Sequence, residues 1–359
     1  MVNTQRHSKL TRETLAAPYS PAAELPGLNT HPVSIARLML LFAIALQSPS
    51  RENLVALSEP HDALMHRLVV AATTWVTTQD EIHGTVDCLI CPPPLKRIGP
   101  TLEVKPEVLW FRIVYVDRYL SLMFGVPQGT SDRSMGSSTA LQQETPLGAF
   151  ERRLTVIASR ILGRNEGSVS TDEYAVTQAI DSELLKASQD MPQSFWRPAN
   201  FQSLTPGSPE TLLETVRLGA QVYYYGLLVQ LHLPYTMRLR DNGVHEYSKI
   251  TCINASREIM TRFITHWTFN PFSSCSRPVD FFALLAGMSL LLAHLDAHHN
   301  REAVNFLAHQ HLSNRTLLSQ ALERMDVISK TNKDVITDKN ADLLCWLLDI
   351  EADEGSQWS

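Results

Sequence analysis

Glu107-Val-Leu-Trp-Phe-Arg-Ile-Val-Tyr-Val-Asp-Arg-Tyr-Leu-Ser-Leu-Met-Phe-Gly-Val-Pro127 is apolar at helical spacing on two sides. Leu109, Ile113, Val116, Leu120 and Met123 recur at steps of four and three, which sets them on one helical stripe. Val108, Phe111, Tyr115, Tyr119 and Leu122 form a second stripe. A helix apolar on two faces belongs inside a domain, so the stretch predicts a helix around which the rest packs. Pro106 suits its first turn, and Gly125 followed by Val126-Pro127 stops it. Arg112, Asp117 and Arg118 interrupt the apolar faces, and ion pairing among them or with neighbouring helices would offset their burial.

The rest of the chain reads the same way. A helix opens at His31-Pro32 and runs to Gln47 with Ile35, Leu38, Phe42 and Ala45 on one side, and a second spans 60–79. Asp80 caps a third, 80–91, with apolar contacts at Val86, Leu89 and Ile90. Three prolines after Cys91 then forbid helix through Pro100. Beyond a polar loop at 128–139, helices are predicted over 146–163, from Glu173 to about Gln189, over 210–233, 246–266 and 275–298, and around 301–328 and 334–351. Ala283, Ala286 and Gly287 permit close helix contact, and Trp196 in the Pro-rich loop 191–209 is expected to tuck onto the bundle. No alternating strand pattern competes, so the fold class is all-α, an irregular helical array.

Composition narrows the function. The chain has 359 residues, 44% of them hydrophobic and 19% charged, the balance of a globular protein with a sizeable core. A formal net charge of −6 and a pI near 6.1 argue against a domain that grips DNA by itself, because phosphate neutralisation needs a basic face. Arg6, His7, Lys9 and Arg12 make only a thin basic arm in a flexible leader, 1–30. Five dispersed cysteines, 88, 91, 252, 275 and 345, with no signal-like start, point to free thiols in a reducing compartment. The apolar run Phe281 to Ala293 is too short for a membrane span, which needs about 20 residues.

The segment 109–127, with its aromatic start, Asp117-Arg118 centre and Gly125-x-Pro127 exit, resembles the central signature of the fungal-specific transcription factor domain. Further blocks resemble the same domain in the same order. They are the His31-Pro32 Leu-rich helix, the Leu231-His-Leu-Pro-Tyr235 exit and the stretch Cys275–His298. The resemblance covers most of 31–351, with 352–359 as a tail. In that family a six-cysteine binuclear zinc cluster usually precedes the helical domain and contacts DNA; no such cluster is seen here. The family also carries further helices between the Cys91 region and the central segment. About ten residues stand in their place here, which an internal deletion near 91–102 or an imperfectly predicted splice junction would account for equally well. The exposed apolar edge it leaves would favour a homo-oligomer.

Residues able to carry chemistry are few. Cys88-x-x-Cys91 lacks a partner pair and runs into prolines, so free thiols are expected there. His294 and His298 lie one turn apart, near Asp296 and His299, without the His-Glu-x-x-His base of a metalloprotease. In the family this end terminates a core helix. His232 is read as a helix C-terminal residue, and His309 and His311 as solvated. Asp80-Glu81 and Asp172-Glu173 sit at helix starts, where the dipole explains them. No phosphate loop, nucleophile elbow or dinucleotide fingerprint occurs. No catalytic, cofactor-binding, metal or DNA-binding residue is therefore assigned, and the only cofactor implied is the zinc of the family's absent module.

The resemblance implies a non-enzymatic, nuclear transcription regulator acting at RNA polymerase II promoters, among them those of secondary-metabolite gene clusters. Its partners would be proteins of the transcription machinery, with DNA reached through a partner or a missing module and no membrane involved. The alternative is a small-molecule-binding or catalytic accessory protein of a biosynthetic pathway, which needs convergent polar groups in one pocket.

Overall fold

The structure, a computed structural model, describes residues 32–46, 59–74, 106–130, 134–137, 141–142, 144–167, 173–205, 208–236, 245–269, 277–299, 308–332 and 335–357. The leader, the segment 80–91, the proline run after it, and Cys88, Cys91 and Cys275 lie outside them.

Ten α-helices and no strand are found among the described residues, so the all-α expectation holds. They are α1 (Pro32–Leu46), α2 (His61–Ala72), α3 (Pro106–Phe124), α4 (Pro146–Glu166), α5 (Glu173–Gln189), α6 (Pro209–Thr236), α7 (Glu246–Phe269), α8 (Arg277–His299), α9 (Ala308–Asn332) and α10 (Val335–Gln357). The backbone divides into two compact units, 1–115 and 116–359, with the boundary inside α3.

In the first unit α1 packs on α2, burying Ala36 and Ala72 with Met39 and Leu40 against them. Small residues at the crossing let two backbones approach closely. In the α3 turns of this unit the Arg112 guanidinium carbon stands 4.9 Å from the Phe111 ring centroid and 5.7 Å from that of Tyr115. A guanidinium held over ring faces gains cation–π attraction there.

The second unit is built on α6, whose Leu227, Val229, Leu231 and Tyr235 are fully enclosed. It packs against α4, α5, α7 and α8, while α9 and α10 close the array on α7 and α8. Two helices begin by the same device. Thr145 Oγ1 accepts from Gly148 N at 3.1 Å and Ser208 Oγ from Thr211 N at 3.2 Å, each with proline in the first helical position. The capping oxygen satisfies a donor that the helix leaves free, and proline removes another that would lack a partner.

α3 ends as the sequence predicts. Gly125 takes φ 65°, and Val126 N bonds back to Ser121 O at 3.1 Å, which closes a Schellman cap that an L side chain would strain. Of the two apolar stripes, Tyr119 and Leu122 turn inward here, with Tyr119 against Tyr223 of α6 and Phe282 of α8. Leu120 and Phe124 on the other side face solvent.

Three boundaries differ from the sequence reading. α6 does not stop at Leu233 but carries Pro234 inside its last turn. α10 continues to Gln357, so the acidic end placed in a tail at 352–359 is mostly helical. On α8, Pro278–Asp296 is long and apolar enough to cross a membrane, further than the run Phe281 to Ala293 suggested. Val279, Phe282, Ala283, Ala286, Leu290 and Leu291 along it are buried in the protein core. Leu185, placed inward on α5, points outward, while Thr177, Ile180 and Leu184 form the buried face.

Candidate functional site

Three polar clusters within the second unit bring together residue types that could bind or react. The first is at the exit of α3. Arg118, 0% exposed, donates from Nε to Ser159 of α4, and from Nη1 to Asp117 and, at 2.7 Å, to Thr130. Asp117 in turn accepts from Gly129 N at 2.9 Å and from Thr130 N and Oγ1 at 3.2 and 3.0 Å. Burial works against the charged Asp117 carboxyl, but these hydrogen bonds and the adjacent guanidinium outweigh it and hold the pKa below the ordinary value. The Asp-Arg pair expected from sequence thus fastens the loop after α3 to the helix. Every donor and acceptor named is occupied within the protein, which makes the cluster structural.

The second cluster has the composition of a nucleophilic relay. His232 of α6 lies 3.1 Å through Nε2 from Asp181 Oδ1 of α5 and 3.0 Å through Nδ1 from Ser248 Oγ of α7. Tyr247 OH donates to Asp181 Oδ2 at 2.7 Å. Burial pushes the Asp181 carboxyl up, but the bonds from His232 and Tyr247 prevail and its pKa lies below the ordinary value. An ionised carboxylate only accepts, so Nε2 carries a proton and, in the neutral ring, Nδ1 accepts from the serine hydroxyl. Ser248 is completely buried, and a nucleophile must reach its substrate. The arrangement bolts α5, α6 and α7 together. His232, read from sequence as a helix-end residue, is this buried bolt.

The third cluster joins α8, α9 and α10. His311 Nε2 lies 2.6 Å from Glu351 Oε1, His294 Nδ1 lies 3.6 Å from the same oxygen, and the two imidazole centroids are 4.3 Å apart. Arg315 donates to Glu351 Oε2 at 2.6 Å. These are metal-ligand types, and the three ligand atoms fall within 4.8 Å of one another. Hydrogen bonding assigns the protons otherwise. Arg257 donates to Asn314 Oδ1, so Asn314 presents Nδ2 to His294 Nε2 at 3.2 Å. That leaves the proton of a neutral His294 on Nδ1, facing the carboxylate, where a metal would need a lone pair. The cluster is wired as a hydrogen-bonded clamp on the C-terminal helix.

His294 was singled out in the sequence, but its partners are His311 and Glu351 and not its own helix neighbours. Asp296 pairs with Lys249 of α7 at 3.3 Å. The side chains of His298, His299 and His309 lie outside the described residues. Asp280, in the first turn of α8, accepts from Trp267 Nε1 at 3.1 Å. Cys252 and Cys345 are free thiols; burial pushes that of Cys252 up to about 11, which suppresses the reactive thiolate.

The amino-acid sequence is 38% identical to a dehydrocurvularin biosynthesis regulator of Alternaria cinerariae, over 98% of this chain and 51% of the relative. It is similar to fungal biosynthesis regulators. A dehydrocurvularin biosynthesis regulator of Aspergillus terreus is 36% identical over 98% of the chain and 56% of its own length. A probable transcription factor of Penicillium aethiopicum is 34% identical over 96% of the chain and 55% of its own length. The chain spans about half the length of the curated relatives it matches. The alignment with the Alternaria protein occupies 394 positions against the 359 residues of this chain, so that relative carries residues inside the matched span that are missing here. No family model matches the chain. No solved structure matches it either.

Proposed function

We propose that this chain is a regulator, or a major part of one, of a fungal biosynthetic pathway, and that it works by binding other molecules and not by transforming them. The observation that carries this is the similarity along 98% of the chain to a protein named as a biosynthesis regulator. The helical regulatory domain is of the fungal-specific transcription factor type, on the residues 109–127, 231–235 and 275–298 that resemble it. The protein acts in the nucleus on RNA polymerase II promoters of a secondary-metabolite gene cluster, through proteins of the transcription machinery. A net charge of −6 supports indirect contact with DNA, made by a partner or by a zinc-cluster module outside this chain. That the Alternaria regulator carries residues missing here supports an internal deletion, which we set near 91–102 because three prolines follow Cys91.

Deleting the gene and sequencing transcripts tests the reading: transcripts of one co-regulated set of biosynthetic genes should fall together and return on complementation. Unchanged transcripts with a lost metabolite would favour the accessory-protein alternative. A fluorescent fusion outside the nucleus would remove the promoter step. Tight binding of the purified chain to duplex DNA, weakening steeply with salt, would overturn indirect contact. Sequencing the transcript across Cys91 tests the deletion.

A further inference from the structure

α10 carries two unlike faces. Thr337, Leu344 and Glu351 are buried against the second unit. On the solvent side Ile336, Leu343 and Trp346 are exposed, with Trp346 60% accessible, and Ile350 continues the row half-buried. Steps of seven, three and four keep these four residues on one side of the helix. A solvent-facing apolar row centred on a tryptophan has the anchor chemistry of an interaction surface. Asp338, Asp342 and Asp349 run beside it, all exposed. Asp338 accepts from Ser329 Oγ at 2.9 Å, whereas Asp342 and Asp349 have no ion-pair partner among the described residues. Lys339 is the one base on this side of α10.

We propose that this face of α10 docks a basic amphipathic helix of a partner protein, with apolar side chains on the Leu343–Trp346–Ile350 row and lysines or arginines against Asp342 and Asp349. Charge complementarity selects that occupant. A second copy of α10 would bring its own acidic row and a single lysine, gathering like charge at the contact, whereas a basic helix neutralises both aspartates. The surface is continuous along about two turns of helix, which suits a helix laid alongside. This inference stands on the surface alone and is independent of the transcriptional reading.

The test uses the full chain and a fluorescent synthetic helix of about 18 residues with leucines on one face and lysines flanking them. Two comparison peptides are needed, one of the same composition in scrambled order and one with every lysine replaced by glutamate. Fluorescence anisotropy should give a dissociation constant of roughly micromolar order for the basic amphipathic peptide only, weakening as salt rises. Trp346→Ala should weaken binding about tenfold or more. Asp342→Lys with Asp349→Lys should weaken it by a similar factor and flatten the salt dependence, while circular dichroism stays unchanged. Equal binding of the scrambled peptide, or binding indifferent to Trp346→Ala, would overturn the proposal. So would absence of binding, or sedimentation showing a dimer that Trp346→Ala dissociates, because the face would then be covered by a second copy.

Discussion

Gly226 of α6 lies against the ring of Phe282 of α8, so close that a Cβ at position 226 would clash with three of its ring carbons. The two helices meet at this point because one of them has no side chain, and Phe282 also touches Tyr119 and Tyr223. Gly226→Ala should destabilise the protein by roughly 1–3 kcal/mol in urea denaturation, since the aromatic cluster has to move. Phe282→Leu should recover part of that loss in the double variant. Strictly additive losses would show that the contact does not set the approach of the helices.

Arg164 and Pro234 should be coupled. Pro234 cannot donate to the Gln230 carbonyl and its ring crowds that turn, yet α6 runs through it. Arg164 of α4 reaches the freed region, donating to Leu231 O at 2.6 Å and Gln230 O at 3.4 Å, and to Thr177 Oγ1 at 3.1 Å. Arg164→Ala should cost about 2 kcal/mol, the scale of charge-assisted hydrogen bonds. In a Pro234→Ala background it should cost measurably less, because the backbone donor returns.

That pair also shows where sequence reading reaches its limit. Helix positions were legible because apolar spacing and stop signals are local: Gly125 acts within four residues of its own position, whereas the caps Thr145 and Ser208 emerged only from the structure. The stop expected at Pro234 was wrong because its compensation comes from Arg164 on another helix. Gly226 carried no mark of its partner Phe282. Among candidate site residues, His294 stood out by composition, but His311 and Glu351 join it only through the packing of α8, α9 and α10. The exposed row of α10 was hidden because an apolar stripe looks the same whether it faces a core or solvent.

His266 should make stability fall with acid. It is 2% exposed, both ring nitrogens lack hydrogen-bond partners among the described residues, and burial pushes its pKa down from 6.5 to about 4. The unfolded chain takes up a proton below pH 6.5 while the folded one resists until about 4. Stability from this group is therefore complete above pH 6.5 and is lost as pH falls through that window. The loss is about 2 kcal/mol by pH 5, at roughly 1.4 kcal/mol per pKa unit. His266→Phe should flatten the pH dependence between 6.5 and 4 in parallel denaturation series. An unchanged slope would place the acid sensitivity elsewhere.

Asp117 should hold the loop after α3 by charge as well as by shape. Asp117→Asn keeps the volume but discards the ion pair with fully buried Arg118, which is expected to cost roughly 3 kcal/mol. The loss should exceed that of Thr130→Val, which removes one hydroxyl from the same knot. The carboxylate's lowered pKa adds a second signature. Its contribution is present above the ordinary aspartate range and declines as pH drops through the depressed value, so acid should erase the difference between native and Asp117→Asn proteins.

The clamp of His294, His311 and Glu351 gives a prediction about metal removal. With Asn314 donating to His294 Nε2 and Arg315 holding Glu351 Oε2, the hydrogen bond between His311 Nε2 and Glu351 Oε1 does the work a cation would otherwise do. Dialysis against a chelator should leave the melting temperature unchanged, and stoichiometric zinc should not raise it. Glu351→Gln, by contrast, strips the charge that faces Arg315 and His311, and should cost roughly 3 kcal/mol, the scale for breaking a buried pair. A zinc-dependent rise in melting temperature that Glu351→Gln abolishes would show that the rings turn to offer lone pairs, with Asn314 reversing its amide to accept from His294.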